Sequence, residues 1–397
     1  MRLRAMSVQL DEEFEAARRT LALPQQSLGL DRRSTYSRAT VSPQEARPSI
    51  LVVEEDHDES KLPRAARTKS KQGIPLDTLL TKWATERKPA LRTIGQMRKV
   101  IGRFGQHIGP VFIEDLSRRH IVQFKDELLG SGQTPTNTDK QLVLLSTLLN
   151  FALLNSLVEH NAAKGINVGE RKNAKAARLP FDLQALRALF ASPVYVDGLR
   201  PGAGAGEASY WLPILALFTG ARLEELCQLR PDDVFEESYF DENGTECKTW
   251  VLRITDEGEG QALKTESSRR RFPLHSELVR LGFVQFASEA RGRRRIFDEL
   301  KPDTMGDESG NWSKWFGKYL RKTVGITDKR IVFHSFRHKF KDVARECEIP
   351  EDVSDAVTGH SNGNVARRYG GLTYPLRPLV ESMHRYRILG LAIPTPP

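Results

Sequence analysis

Four side chains near the C-terminal end have types and spacings suited to chemistry on an anion. In the segment HSFRH, His334 and Arg337 are three residues apart, so on a helix they share a face and can converge on one group. His360 follows a glycine, and Tyr369 lies nine positions further on, beyond a short loop that starts with Ser361, Asn362 and Gly363. One guanidinium, two imidazoles and a phenol are the groups that could surround a phosphodiester. His334 and His338 also have the i, i+4 spacing of a zinc site, but no glutamate follows the first histidine and no third ligand is evident, so no metal is expected. Tyr369 taken alone is an ordinary amphipathic tyrosine, and the case rests on the combination.

Upstream, the segment LFTGARLEELCQLRPDDV runs from Leu217 to Val234. Its apolar run ends at Phe218 and breaks at Gly220, and Arg222 then opens a helix with Leu223, Leu226 and Leu229. An arginine after such a break is often only a helix-end charge. Further on, LKTESSRRRFPL sets Lys264 ahead of an expected strand, where a lone lysine is usually solvated.

Together these segments resemble the tyrosine recombinases, the phage-integrase family, over about residues 75 to 385. Type, order and spacing all agree. The resemblance implies that Arg222 and Arg337 bind the scissile phosphate and that Glu225 is the acid supporting the site. Lys264 falls at the family's lysine on a β-hairpin, His334 and His360 at its two histidines, and Tyr369 at its nucleophile. Phe336 stands where leucine is commoner, a small departure.

The chemistry explains the residue types. Attack on a phosphodiester spreads negative charge onto its non-bridging oxygens, and two guanidiniums aimed there favour the transition state. That is the expected work of Arg222 and Arg337. A phenol with a pKa near 10 is only about a thousandth ionised at neutral pH, so Tyr369 needs a base, for which His334 is the candidate. The leaving 5′ oxygen needs a proton, and Lys264 is the candidate acid. His360 would orient the phosphate or assist proton transfer. The expected product is a 3′-phosphotyrosine and a free 5′ hydroxyl. Because the bond energy stays in the covalent link, no cofactor, ATP or metal is expected. The activity implied is site-specific recombination, for integration or excision of a mobile element. The alternatives are a catalytically silent DNA-binding regulator of the same fold and a topoisomerase of the same chemistry.

The elements that must position these residues read as mainly α with a small antiparallel β-sheet. Residues 1–72 carry one short amphipathic pattern at Leu10, Phe14, Ala17 and Leu21 and then a polar tract, expected as a mobile tether or as an arm that contacts accessory DNA sites or a neighbouring protomer. Residues 73–164 carry four helical patterns, which the resemblance makes a SAM-like core-binding domain that clamps DNA. Leu79, Leu80 and Trp83 share one face, and Ile94, Met97, Ile101 and Phe104 another. Opposite the second stripe, Arg92, Lys99 and Arg103 recur at steps of seven and four, as a helix lining a duplex backbone or a solvated face would. Ser117 is the expected N-cap of a third helix ending at Gly130, and a fourth spans about 136–156.

Residues 165–180 form a basic linker with Arg171, Lys172, Lys175 and Arg178, expected along the DNA backbone. Residues 181–397 are the expected catalytic domain. In it Asp182 caps a helix, Asn243-Gly244 marks a hairpin, and Trp250 to Ile254 and Arg271 to Leu274 read as strands. Arg269, Arg270 and Arg271 are candidates to grip phosphates. A last amphipathic segment carries Leu376, Leu379, Val380, Met383 and Tyr386, and docks either on its own domain or, by resemblance, on a neighbouring protomer.

Composition agrees. The chain has 397 residues with 60 Lys plus Arg against 51 Asp plus Glu, a net charge of +9 that favours a polyanionic partner. Double-stranded DNA is the expected partner. A homotetramer in the synaptic complex, with accessory DNA-bending or directionality proteins, follows from the resemblance. Three scattered cysteines suggest neither a disulfide framework nor a zinc ribbon and fit a reducing cytoplasm. No signal peptide and no apolar run of membrane-spanning length is evident.

Overall fold

The computed structural model describes residues 73–169, 178–265, 268–360 and 373–395. The expected N-terminal tail, Arg171, Lys172 and Lys175 of the linker, and Tyr369 lie outside the described residues.

Four helices close the first hydrophobic cluster. Helix α1 (Leu76–Arg87) begins after the extended Pro75 and buries Leu76, Leu79, Leu80 and Trp83. Helix α2 (Leu91–Ile108) buries Met97, Val100, Ile101 and Phe104, while Arg92, Lys99 and Arg103 are exposed on its other side. That separation is what a 3.6-residue period imposes on such a sequence. Helix α3 (Arg118–Gly130) starts after Ser117, whose N–H donates to His120 Nδ1 at 3.3 Å. Helix α4 (Pro135–Leu154) has Pro at its first position, where no intrahelical N–H is needed, and Thr134 Oγ1 accepts the Asn137 N–H at 3.3 Å. Phe104 and Phe124 meet edge to face at 5.2 Å inside the cluster.

Among the described residues a second, larger cluster is built from α5 (Leu183–Phe190), α6 (Pro193–Val196), α7 (Ala208–Thr219) and α8 (Leu223–Cys227), followed by a sheet and further helices. Asp182 Oδ1 accepts the Ala185 N–H at 2.7 Å, which starts α5 where expected. Every residue of α7 is buried, so this helix is the axis of the cluster. It ends at Gly220, whose φ of +59° is left-handed and whose added Cβ would lie 2.8 Å from Thr358 Cγ2. Both constraints call for glycine here, and they fix the exit of the chain toward Arg222.

The sheet has the order β1-β2-β3 and is antiparallel throughout, with β1 (Val234–Phe240), β2 (Glu246–Ile254) and β3 (Arg270–Pro273). Val234 faces Leu252 and Phe240 faces Glu246 across the first pair, and Ile254 faces Arg270 across the second. The Asp241–Thr245 turn closes the first hairpin, with Asp241 Oδ1 accepting the N–H groups of Asn243 and Thr245 at 2.9 and 2.8 Å. Residues 255–269 join β2 to β3 and carry Lys264.

The remaining helices are α9 (Ser276–Arg280), α10 (Phe283–Glu289), α11 (Ser309–Lys322), α12 (Ser335–Glu346), α13 (Glu351–Thr358) and α14 (Leu376–Arg385). Helix α14 docks on its own sheet. Leu376 and Val380 pack with Val251, and Leu379 and Met383 enter the main cluster with Tyr386. The Tyr386 hydroxyl donates to the Leu217 carbonyl at 2.9 Å, which ties the C-terminal segment to α7.

Candidate active site

Arg222 precedes α8 in an extended conformation, with φ −75° and ψ 148°. Glu225, one turn into that helix, folds back on it: Oε2 accepts the Arg222 backbone N–H at 2.9 Å and Oε1 accepts Arg222 Nη1 at 2.7 Å. The same carboxylate takes a second arginine, because Oε2 also accepts Arg270 Nη2 at 2.8 Å. Burial pushes the Glu225 carboxyl upward, but the Arg270 charge and the hydrogen bonds from Arg270 and Arg222 outweigh it and hold the pKa below the usual range.

Arg270 therefore differs from its expected place at the DNA surface. It is buried, and its Nε and Nη1 donate to the carbonyls of Val357 and Ser268, each at 2.7 Å. Strand alternation explains the difference. Arg270 and Phe272 share the inward face of β3, whereas Arg271 lies between them and pairs with Glu237 at 2.6 Å. Arg269, just before the strand, is exposed and pairs with Asp256 and Glu257.

Arg337, in the first turn of α12, reaches back to the same turn. Its Nη1 donates to the Gly220 carbonyl at 2.8 Å and to the Thr358 carbonyl. Burial, followed by the charges of Arg222 and Arg270, lowers its pKa to about 10. Three guanidiniums thus share one neighbourhood with the Glu225 carboxylate, an arrangement that favours a further anion.

His334 stands at the N-terminal end of α12. Burial, then the charges of Arg178, His338, Arg337 and Arg222, bring its pKa down to about 4, so the imidazole is neutral at pH 7. The linker residue Arg178 accordingly lies within electrostatic reach of both His334 and His338, which meet edge to face at 5.2 Å.

His360 follows the left-handed Gly359 that ends α13. Its backbone N–H donates to the Asp355 carbonyl at 3.1 Å, and its Nδ1 lies 3.6 Å from Asp355 Oδ1. Asp355 is 2% exposed and also accepts Lys341 Nζ at 2.5 Å. A cavity of about 490 Å³ joins these groups, lined among others by His334, Arg337, His338, Lys341, Asp355 and His360.

Of the expected site residues, the structure brings Arg222, Glu225, His334, Arg337 and His360 to this region. Lys264 is exposed on the β2–β3 connection, and Tyr369 is outside the described residues. Sequence reasoning missed Asp355 and Lys341 and gave Arg270 the wrong surroundings. Away from the site, Arg92 pairs with Asp307, and Arg103 Nη1 donates to Gln141 Oε1 at 3.0 Å.

No family model and no curated protein matches the chain by sequence. Solved structures do match. The Tn1549 transposon integrase in complex with a circular intermediate DNA aligns with a TM-score of 0.51 and 14% identity, over 79% of this chain and 95% of that one. The lambda integrase tetramer bound to a Holliday junction gives 0.51 and 15%, over 85% and 84% of the two chains. The lambda integrase dimer bound to a COC′ core site gives 0.51 and 16%, over 78% and 81%.

The chain has the integrase fold.

In this integrase fold the helical cluster of α1–α4 and the mixed cluster that follows together account for the mainly α class with one small antiparallel sheet. The candidate site belongs to the second cluster and draws on α8, β3, α12 and the end of α13.

Proposed function

We propose that the protein is a site-specific DNA recombinase that cleaves and rejoins strands through a 3′-phosphotyrosine at Tyr369, serving integration or excision of a mobile element. One observation carries the reading: Arg222 and Arg270 bond a single buried carboxylate with Arg337 in electrostatic reach of it, beside a cavity lined by His334, Arg337 and His360.

In the proposed reaction Arg222 and Arg337 hold the scissile phosphate, and Glu225 with Arg270 fixes Arg222. Neutral His334 accepts the phenolic proton as Tyr369 attacks. Part of the depression of its pKa comes from neighbouring cations, so a bound phosphate anion would raise its basicity when the proton has to move. The P–O5′ bond breaks, and Lys264 gives its proton to the leaving oxygen. A 5′ hydroxyl from the partner strand then attacks the phosphotyrosine and reverses the sequence. The α1–α4 cluster and the α5–α14 cluster are the two halves of a DNA clamp, with residues 165–180 along the backbone between them. Assembly would be a tetramer on DNA, in the cytoplasm with the nucleoid.

The test is a nicked duplex from which the cleaved end diffuses away, so that an adduct accumulates. The wild-type chain should form a denaturant-resistant protein–DNA adduct. Arg337→Ala should bind the same DNA within a few-fold yet form the adduct about 10²–10³-fold more slowly, the usual consequence of losing a donor to developing negative charge. Binding lost in parallel with cleavage would contradict the role given to Arg337, and a wild-type chain without any adduct would contradict the reaction.

A further inference from the structure

The connection that carries Lys264 is tied to the short helix that begins at Arg222. Gln228, 7% exposed, follows the C-terminal end of α8, six residues after Arg222 and roughly 9 Å from it along a helical axis. Its Nε2 donates to Glu224 Oε1 at 2.8 Å, which sets the amide so that its Oε1 accepts the Ala262 N–H at 2.8 Å. The Gln228 carbonyl in turn accepts Gln261 Nε2 at 3.0 Å and Arg295 Nη1 at 2.8 Å. Arg295, 3% exposed, also donates through Nη2 to the Gly260 carbonyl at 2.6 Å. Residues 260–262 are therefore held to α8 just before Lys264. Beyond Lys264, Thr265 Oγ1 lies 3.0 Å from Ser268 Oγ, which accepts Arg222 Nη1 at 3.4 Å.

We infer that Gln228 is a positioning residue for Lys264, setting the distance between the lysine and the phosphate that Arg222 holds. The inference rests on the function proposed above and gives a role to a residue of the Arg222 segment that the resemblance leaves without one. Lys264 is exposed on a flexible four-carbon stem, and proton delivery to a leaving oxygen needs the two groups within hydrogen-bond reach. Anchoring the backbone two residues earlier removes much of the conformational search. An apolar side chain would fill the same buried space without the desolvation cost of an amide, but it would leave the Ala262 N–H unpaired.

In the step concerned, the Tyr369 oxygen forms a bond to phosphorus and the P–O5′ bond breaks with its electron pair on O5′. The Lys264 ammonium supplies the proton and becomes an amine. Replacing O5′ by sulfur gives a leaving thiolate, which needs no proton because a thiol is far more acidic than an alcohol. The experiment compares single-turnover adduct formation on nicked duplexes with oxygen or sulfur at that bridge, for wild type, Lys264→Ala, Gln228→Met and Gln261→Met.

On the oxygen substrate Gln228→Met should be slower by about 10- to 100-fold, a share of the roughly 10²–10⁴ that a general acid supplies. On sulfur it should return to within about 3-fold of wild type, in parallel with Lys264→Ala. A merely structural defect would slow both substrates alike, and that result would overturn the inference. Unchanged DNA affinity and melting temperature check the fold. Should Gln228→Met fail that check, the half-buried Gln261→Met decides by the same oxygen-to-sulfur ratio. If Lys264→Ala recovers on sulfur and the glutamine variants do not, this inference fails while the proposed reaction stands. If wild type forms no adduct on either substrate, both fall.

Discussion

Glu225 and Arg270 form an ion pair at 2.8 Å in which each side chain is only 6% exposed. The other carboxylate oxygen goes to Arg222, which is 32% exposed at its side chain. One buried acid thus links an arginine inside the protein to an arginine at the edge of the site. The interior partner neutralises and fixes the acid, and the acid fixes the outer guanidinium with one face still open to solvent.

Removing Arg270 should therefore be costly. Arg270→Met leaves Glu225 buried with a single, partly exposed partner, and breaking a buried pair in this way typically loses about 3–5 kcal/mol. Denaturant unfolding reads the loss. A change below about 1 kcal/mol would mean that Glu225 is solvated and the pair is not buried in solution.

Acid should destabilise the protein in two separate windows. The folded pKa of His334 is about 4 against an ordinary 6.5, so the unfolded chain takes up its proton first, and stability falls as pH drops from about 6.5 toward 4. Glu225 is shifted below the usual carboxylate range, so its contribution is present above that range and is lost as pH falls through the folded value. His334→Gln should flatten the upper window, leaving the smaller part due to His338, whose pKa is also lowered by burial. An unchanged slope between pH 6.5 and 4 would contradict the burial of His334 among cations.

Tyr386 anchors the C-terminal segment. It is fully buried, its ring stacks on Phe340 at 4.8 Å, and its carbonyl lies 2.8 Å from His275 Nε2. Tyr386→Phe loses the hydrogen bond to Leu217 and should cost about 1 kcal/mol. Tyr386→Ala adds a cavity and should cost about 3–5 kcal/mol. If both variants are neutral in the isolated protein, α14 does not dock on its own sheet in solution.

The exposed face of α2 should meet phosphates. Each phosphate contact contributes roughly 0.9 to the slope of log K against log salt, so the double variant Lys99→Ala, Arg103→Ala should reduce that slope by about 2. Equal slopes for wild type and variant would place this face away from DNA.

Much of the fold was legible in the sequence because it rests on local signals. The 3.6-residue stripes of α1–α4, the caps at Ser117 and Asp182, and the Asn243-Gly244 turn all act within a few residues of themselves. The arginines at 269, 270 and 271 show where this runs out. They are identical in type and adjacent, yet one is exposed, one is buried and one is partly buried, because strand register decides and register is set by distant pairing. The acceptors that make the buried one tolerable lie 45 and 87 residues away, at Glu225 and Val357. Lys341 and Asp355 each look like ordinary charges on amphipathic helices, and only the packing of α12 against α13 makes them a pair beside His360. Gln228 lies in the same segment as Arg222, yet no local pattern marks it, because its partner Ala262 is 34 residues away.

The central claim is that Tyr369 forms the covalent link, and peptide mapping of the trapped adduct tests it most directly. After cleavage of a nicked duplex and proteolysis, mass spectrometry should find the nucleotide on the peptide containing Tyr369, with no adduct from Tyr369→Phe. Tyr374, a second phenol five residues further along the chain and directly before a proline, donates its hydroxyl to Asp352 at 2.7 Å and should stay unmodified. DNA attached at Tyr374, or an adduct that survives Tyr369→Phe, would contradict the account.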